Sequence, residues 1–272
     1  MTIENKTTNN GRINYTVIDG PKTGKQYTIV FVHGLGSSQN YYFSTALKLS
    51  EKNKCIILDN YGAGLSGKPT SYEDCTIKTM ANDVMNVIDE CGSSNDAIVL
   101  VGHSMGGMIV NYLTSLNKLN VVKSVLLAPV HPSMEISNAF TDRIGILQKS
   151  HNMGMLFDVI PFKATGSACS DFKKSFIRQL ISCSTVEGYI WNCQVICNAG
   201  LASDEWLDLY SKIDIPVLIV HGVEDMTASF ESCIKVINQG IRSSTIHKMD
   251  GVGHWPCIED DEGVYNAIIS FL

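Results

Sequence analysis

Gly102-His103-Ser104-Met105-Gly106 is the segment of this chain best suited to covalent chemistry. It follows the apolar run Ala97 to Val101 and precedes a helical run, Met108 to Leu116. A serine between a strand and a helix sits on a sharp turn, and glycines on either side let the backbone close without clashes. That turn, a nucleophile elbow, lifts the Ser104 hydroxyl above the carboxyl ends of the strands, where open α/β sheets bind ligands. A hydroxyl is a weak nucleophile at neutral pH, so it needs a base to take its proton and an acid to orient that base. Chains built on this turn carry the three in the order Ser, acid, His. After the run Val217 to Val220, His221-Gly222-Val223-Glu224-Asp225 offers Asp225, with Glu224 and Asp250 as rivals. After Thr245 to Met249, Asp250-Gly251-Val252-Gly253-His254-Trp255-Pro256 offers His254.

The other histidines read as structural. His103 lies inside the turn and points away from the serine, while His33 and His221, each at a strand end before glycine, are placed to hold loops. His131, His151 and His247 have no supporting context. An oxyanion at the attacked carbonyl also needs N–H donors. Met105, next after the serine, supplies one backbone amide, and the loop His33-Gly34-Leu35-Gly36-Ser37-Ser38 supplies a second, expected at Leu35. His33, Gly34, His103, Trp191 and Trp255 are expected to border the substrate.

A competing motif, Gly62-Ala63-Gly64-Leu65-Ser66-Gly67, has the literal GxGxxG spacing of a dinucleotide site. That fingerprint must open a helix whose N-terminus holds the pyrophosphate. Here Lys68-Pro69-Thr70 follows, and a residue before proline is biased away from helix. No cofactor and no metal are expected.

These residues must be held by strands and helices in alternation. Tyr27 to Val32, Lys54 to Leu58, Ala97 to Val101, Val125 to Leu127, Val217 to Val220 and Thr245 to Met249 read as strands. The central ones are continuously apolar, as when both faces of a parallel sheet are covered. Ile77, Met80, Val84, Val87, Ile88 and Cys91 recur at helical spacing within Thr76 to Cys91. The pattern predicts a doubly wound α/β sheet, with Arg12 to Ile18 adding an antiparallel edge hairpin that turns near Asp19-Gly20-Pro21. From His131 to Asp214 there is no convincing strand, and the stretch is rich in aromatics and Met. A structureless loop of that length is rare in a compact domain, so a helical insertion is expected.

With 44% hydrophobic and 18% charged residues, the chain can bury a sizeable core. Its 21 Lys and Arg against 27 Asp and Glu leave a net charge of −6, which gives no electrostatic footprint for nucleic acid. No apolar run approaches the roughly 20 residues that span a bilayer. The polar first ten residues lack a secretory pattern, Ser270-Phe271-Leu272 lacks the basic residue of a peroxisomal address, and the nine cysteines show no CxxC pairing. A cytoplasmic protein with reduced thiols and a small-molecule partner is expected; no motif speaks to its oligomeric state.

Together the motifs resemble the α/β-hydrolase family from about Tyr27 to Leu272. The matching pieces are His33-Gly34, Asp59 through Ser66, the Gly102 to Gly106 turn, His221-Gly222 with Asp225, and Gly253-His254-Trp255-Pro256. The resemblance implies an α/β-hydrolase fold, with a core of residues 1–130 and 215–272 and a helical cap at 131–214. It also implies a Ser104, Asp225, His254 triad with oxyanion donors at Leu35 and Met105. Small capped esterases and enol-lactonases are the members it looks most like. Relatives that open epoxides or displace halide carry Asp where this chain has Ser104. The expected activity is cleavage of a carboxylic ester or lactone of a small to medium, largely apolar substrate through an acyl-enzyme. Acyl transfer, a lyase reaction, carbon–carbon cleavage on the same triad, and ligand reception without turnover are the alternatives.

Overall fold

The computed structural model describes residues 1–20 and 27–272. Its strands are β1 (Thr2–Thr7), β2 (Asn14–Asp19), β3 (Thr28–Val32), β4 (Lys54–Leu58), β5 (Ile98–His103), β6 (Val121–Leu127), β7 (Val217–Gly222) and β8 (Ser244–Met249). They form one sheet in the order β1-β2-β4-β3-β5-β6-β7-β8. β3 to β8 are parallel to their neighbours within that group, and β2 is antiparallel to both β1 and β4.

The continuous apolarity of the central strands follows from their two-sided burial. On β3, Val30 and Val32 face a core shared with α2 (Ile77–Glu90) and α3 (Met105–Leu116). Ile29 and Phe31, one residue out of phase, face the opposite core with α1 (Phe43–Leu49) and α11 (Asp261–Phe271). The apolar stripe of α2 is buried as its spacing predicts, and Thr76 caps the helix by accepting the Thr79 N–H at 3.1 Å. No helix among the described residues is long and apolar enough to cross a membrane.

Two expectations about the edge are corrected. The segment around Arg12 to Ile18 supplies β2, which is antiparallel as predicted, but the sheet ends one strand further out, at β1. The hairpin turns instead over Thr8 to Ile13, where the Thr8 N–H donates to Ile13 O at 2.8 Å. All six residues of β1 are exposed, so no hydrophobic alternation marked it. Glu4 and Lys6 pair across 2.7 Å on this strand, the kind of charge that blunts an open edge. The turn expected near Asp19-Gly20-Pro21 runs into Pro21, which lies outside the described residues.

Between β6 and β7 run α4 (Met134–Ser150), α5 (Gly154–Lys163), α6 (Asp171–Ser182), α7 (Val186–Leu201) and α8 (Asp204–Ser211). Three of them start on a hydroxyl cap, at Ser133, Ser170 and Thr185. α4 and α7 pack closely because Gly200 has no side chain: a Cβ there would stand 2.5 Å from Ser133 O. After β7 come a short π-helical turn, Phe230–Ile234, then α9 (Lys235–Gly240); α10 (Pro256–Glu259) follows β8.

Candidate active site

Ser104 links β5 to α3 with φ 53° and ψ −117°, a conformation sparsely populated by residues with a side chain. Its surroundings enforce that strain. A Cβ on Gly102 would overlap Gly106 O, and one on Gly106 would overlap Val32 O. The Ser104 N–H is anchored to Leu127 O on β6 at 3.0 Å. Ser104 Oγ stands 3.0 Å from His254 Nε2, and His254 Nδ1 stands 2.8 Å from Asp225 Oδ2. With Nδ1–H donated to the carboxylate, Nε2 is left to accept the hydroxyl proton.

Asp225 is held from its other oxygen as well, where Oδ1 accepts the N–H groups of Thr227 at 2.8 Å and Ala228 at 2.9 Å. Burial, the largest influence, pushes this carboxyl up, but His254 and the two amides outweigh it and the net shift is downward. The rivals are elsewhere: Glu224 accepts from Ser167 N and Oγ, both at 2.6 Å, and Asp250 is exposed.

The loop bearing His254 is fixed on four sides. Its own N–H donates to Ala164 O at 2.8 Å, and its carbonyl accepts His103 Nε2–H at 2.7 Å. The flanking amides of Gly253 and Trp255 donate to the two oxygens of the Glu259 carboxylate at 2.9 and 2.8 Å. Glu259 also accepts the Gly166 N–H at 2.6 Å, tying the loop to the segment between α5 and α6.

Beside Ser104 lies a cavity of about 110 Å³, lined by Leu35, Met105, His254 and Trp255 from the strand ends and by Phe140, Arg143, Ile160, Ile181 and Tyr189 from the inserted helices. The Leu35 N–H makes no hydrogen bond among the described residues. The Met105 N–H opens α3 and has no intrahelical partner. Among the described residues no cluster of His, Cys, Asp or Glu is arranged to hold a metal ion. The Gly62 to Gly67 loop opens no helix, since the next one starts at Ile77.

A family model described as the alpha/beta hydrolase family matches residues 29–267. The chain belongs to that family. The AB hydrolase superfamily protein YisY of Bacillus subtilis is 26% identical over 256 residues, covering 89% of this chain and 90% of its own. The enol-lactonase of Burkholderia xenovorans LB400 superposes with a TM-score of 0.83 at 20% identity, covering 98% of this chain and 99% of its own. A thermophilic esterase from Thermogutta terrifontis, malate bound, gives 0.84 at 19% identity, covering 100% and 98%.

In this hydrolase, four of the five residues expected to border substrate do not reach the cavity lining. His33 is 1% exposed and holds loops: its Nε2 accepts the Asn60 N–H at 2.9 Å and its Nδ1–H donates to Gly34 O at 2.7 Å. Gly34 makes room, since a Cβ there would stand 2.9 Å from Ser104 Cβ. His103 stacks on Tyr41 at 4.4 Å and is occupied by the His254 carbonyl. Trp191 packs edge-on against Tyr61 at 5.2 Å, within the core under α2 and α3. Of the five, only Trp255 lines the cavity. Missed by the sequence reading were Glu259, Phe140, Arg143 and Tyr189. Glu259 stands five residues after His254 with no pattern to mark its burial, and the other three sit on helices whose facing could not be read.

Proposed function

We propose that this hydrolase cleaves short-chain carboxylic esters or lactones through an acyl-enzyme on Ser104. The observation that carries the reading is the chain of contacts Ser104 Oγ, His254 and Asp225, 3.0 and 2.8 Å long, at the edge of a mostly apolar cavity. His254 Nε2 takes the hydroxyl proton as Oγ bonds to the carbonyl carbon, and the oxyanion receives the N–H groups of Leu35 and Met105. Collapse breaks the ester C–O bond, and His254 returns the proton to the leaving oxygen. A water then gives a proton to His254 and its oxygen to the acyl carbon; collapse breaks the bond to Ser104 Oγ, His254 returns the proton to that oxygen, and the acid leaves. Asp225 holds the imidazole tautomer throughout. A volume of about 110 Å³ is below the roughly 150 Å³ that admits benzene, which favours acyl groups of a few carbons. In this reading residues 131–214 are the cap over the site.

The test is the intact mass of the protein after a fluorophosphonate probe, beside Ser104→Ala. A single adduct on the parent chain and none on the variant is expected, followed by turnover of p-nitrophenyl butyrate. No adduct on folded protein would leave ligand reception as the reading. Butyrate transfer to methanol in preference to water would favour an acyltransferase.

A further inference from the structure

Hydrolysis by Ser104, His254 and Asp225 makes no use of Arg143, yet Arg143 stands in the wall of their cavity. It lies on α4, half-buried, with Nη1 donating to Tyr189 Oη at 3.2 Å and the guanidinium 4.7 Å from the centre of the Phe140 ring. Arg12 and Arg178 each meet a carboxylate at 2.8 Å, whereas Arg143 has none within 4.0 Å among the described residues. A guanidinium has five N–H donors and keeps its charge at any ordinary pH. Here one donor is used by a neutral phenol, and the cavity lining contains no Asp or Glu. Trp255, which lines the same cavity, has its indole N–H buried without a partner. A partly desolvated cation among apolar side chains is under-compensated until an anion pairs with it.

We propose that Arg143 binds a carboxylate on the acyl part of the substrate, so that the preferred substrates are short half-esters of dicarboxylic acids or lactones that bear a carboxylate. The inference rests on the ester or lactone reading above. The small cavity limits the spacer between the two ends to a few carbons. Arg143 also lines a separate outer depression beside Asp142, Leu147 and Met155. The planar fork of arginine suits a carboxylate in two-point contact, which a lysine ammonium does not reproduce.

The experiment compares mono-p-nitrophenyl succinate with p-nitrophenyl pentanoate, matched in chain length. The wild type is expected to show a kcat/KM ratio of about 10 or more in favour of the succinate ester. In Arg143→Gln that ratio falls about 10- to 100-fold, and in Arg143→Lys it falls less. Free succinate is expected to inhibit the wild type more strongly than free pentanoate, a readout that does not depend on a variant folding. Equal ratios in wild type and Arg143→Gln, or no preference in the wild type together with equal inhibition by the two acids, overturn the role of Arg143. A protein that takes the fluorophosphonate adduct but shows no such preference loses this inference alone. A folded protein that takes no adduct loses both it and the ester reading.

Discussion

The sheet and the inserted helices meet at one cavity but build it by opposite means. Ser104, Asp225, His254 and Leu35 all stand just past the ends of parallel strands, where strand register and glycine-permitted approach fix the backbone. Phe140, Arg143, Ile160, Ile181 and Tyr189 come from four different helices and reach the cavity only by their side chains. Positions set by backbone tolerate no drift, and positions set by helix packing tolerate exchange among residues of similar volume. On the ester or lactone reading proposed above, the sheet side would govern whether the bond breaks, and the insertion which bond. Among the hydrogen bonds that join the halves, those from His254 N–H to Ala164 O and from Gly166 N–H to the Glu259 carboxylate lie nearest the base.

That division is broken most directly at Ser104. Ser104→Ala is expected to lower kcat on p-nitrophenyl butyrate about a million-fold, because the remaining donors cannot replace a nucleophile. A residual rate within ten-fold of wild type would sink the acyl-enzyme. Asp225→Asn comes next, with kcat down about ten-thousand-fold: an amide in that place favours the imidazole tautomer that cannot take the serine proton. Steady-state kinetics should show this loss on neutral and anionic esters alike.

Glu259→Gln tests the join between the halves. The carboxylate accepts three backbone amides, and a glutamine turns an NH2 group toward one of them, so about 1 to 3 kcal/mol of positioning is lost. The expected result is a ten- to hundred-fold fall in kcat with little change in KM, plus a lower thermal midpoint. A change in KM alone would move Glu259 from the His254 loop to the cavity.

Much of the sheet side was legible because its signals are local. Gly102 to Gly106 lie in one stretch, and the run before Asp225, Val217 to Val220, is apolar at every position because both faces of its strand are buried, whereas the edge strand before His254 mixes Thr, Ile, His, Lys and Met and is largely exposed. β1 was not legible, because a strand with every side chain exposed carries no alternation. The insertion was legible as helices but not as walls. α7 has buried residues around much of its circumference, and a stripe that packs on a neighbour looks the same as one that faces a cavity. Trp191 shows the consequence: an aromatic in the right segment, expected beside substrate, serves the core through Tyr61. Glu259 acts through backbone amides, which leave no trace in residue types.

The wall is tested with Phe140→Ala. Removing the ring enlarges the cavity, and each methylene accommodated in an apolar pocket is worth about 10-fold or more in kcat/KM. The ratio of kcat/KM for p-nitrophenyl octanoate over butyrate is expected to rise about 10-fold. An unchanged chain-length profile would return Phe140 to packing and weaken the claim that the insertion selects the substrate.

The smallest effect expected is on stability, and it concerns the sheet side alone. Burial holds His103 well below the usual imidazole value of 6.5, with the neighbouring His254 adding to it, and burial also lowers His33. Below pH 6.5 the unfolded chain takes up protons that the folded chain refuses, so each such histidine lowers stability as the pH falls. Glu259 acts with the opposite sign: burial raises its carboxyl above 4.5, so the folded chain gains there as pH falls toward that value. The span from pH 6.5 to 5.5 therefore reports mainly on the histidines. His103→Gln keeps an N–H donor for the His254 carbonyl but cannot titrate. Urea midpoints at pH 7.5, 6.5 and 5.5 should decline less steeply for that variant than for the wild type. Parallel declines would show that the acid sensitivity arises elsewhere and that the support beneath His254 is not what acid dismantles first.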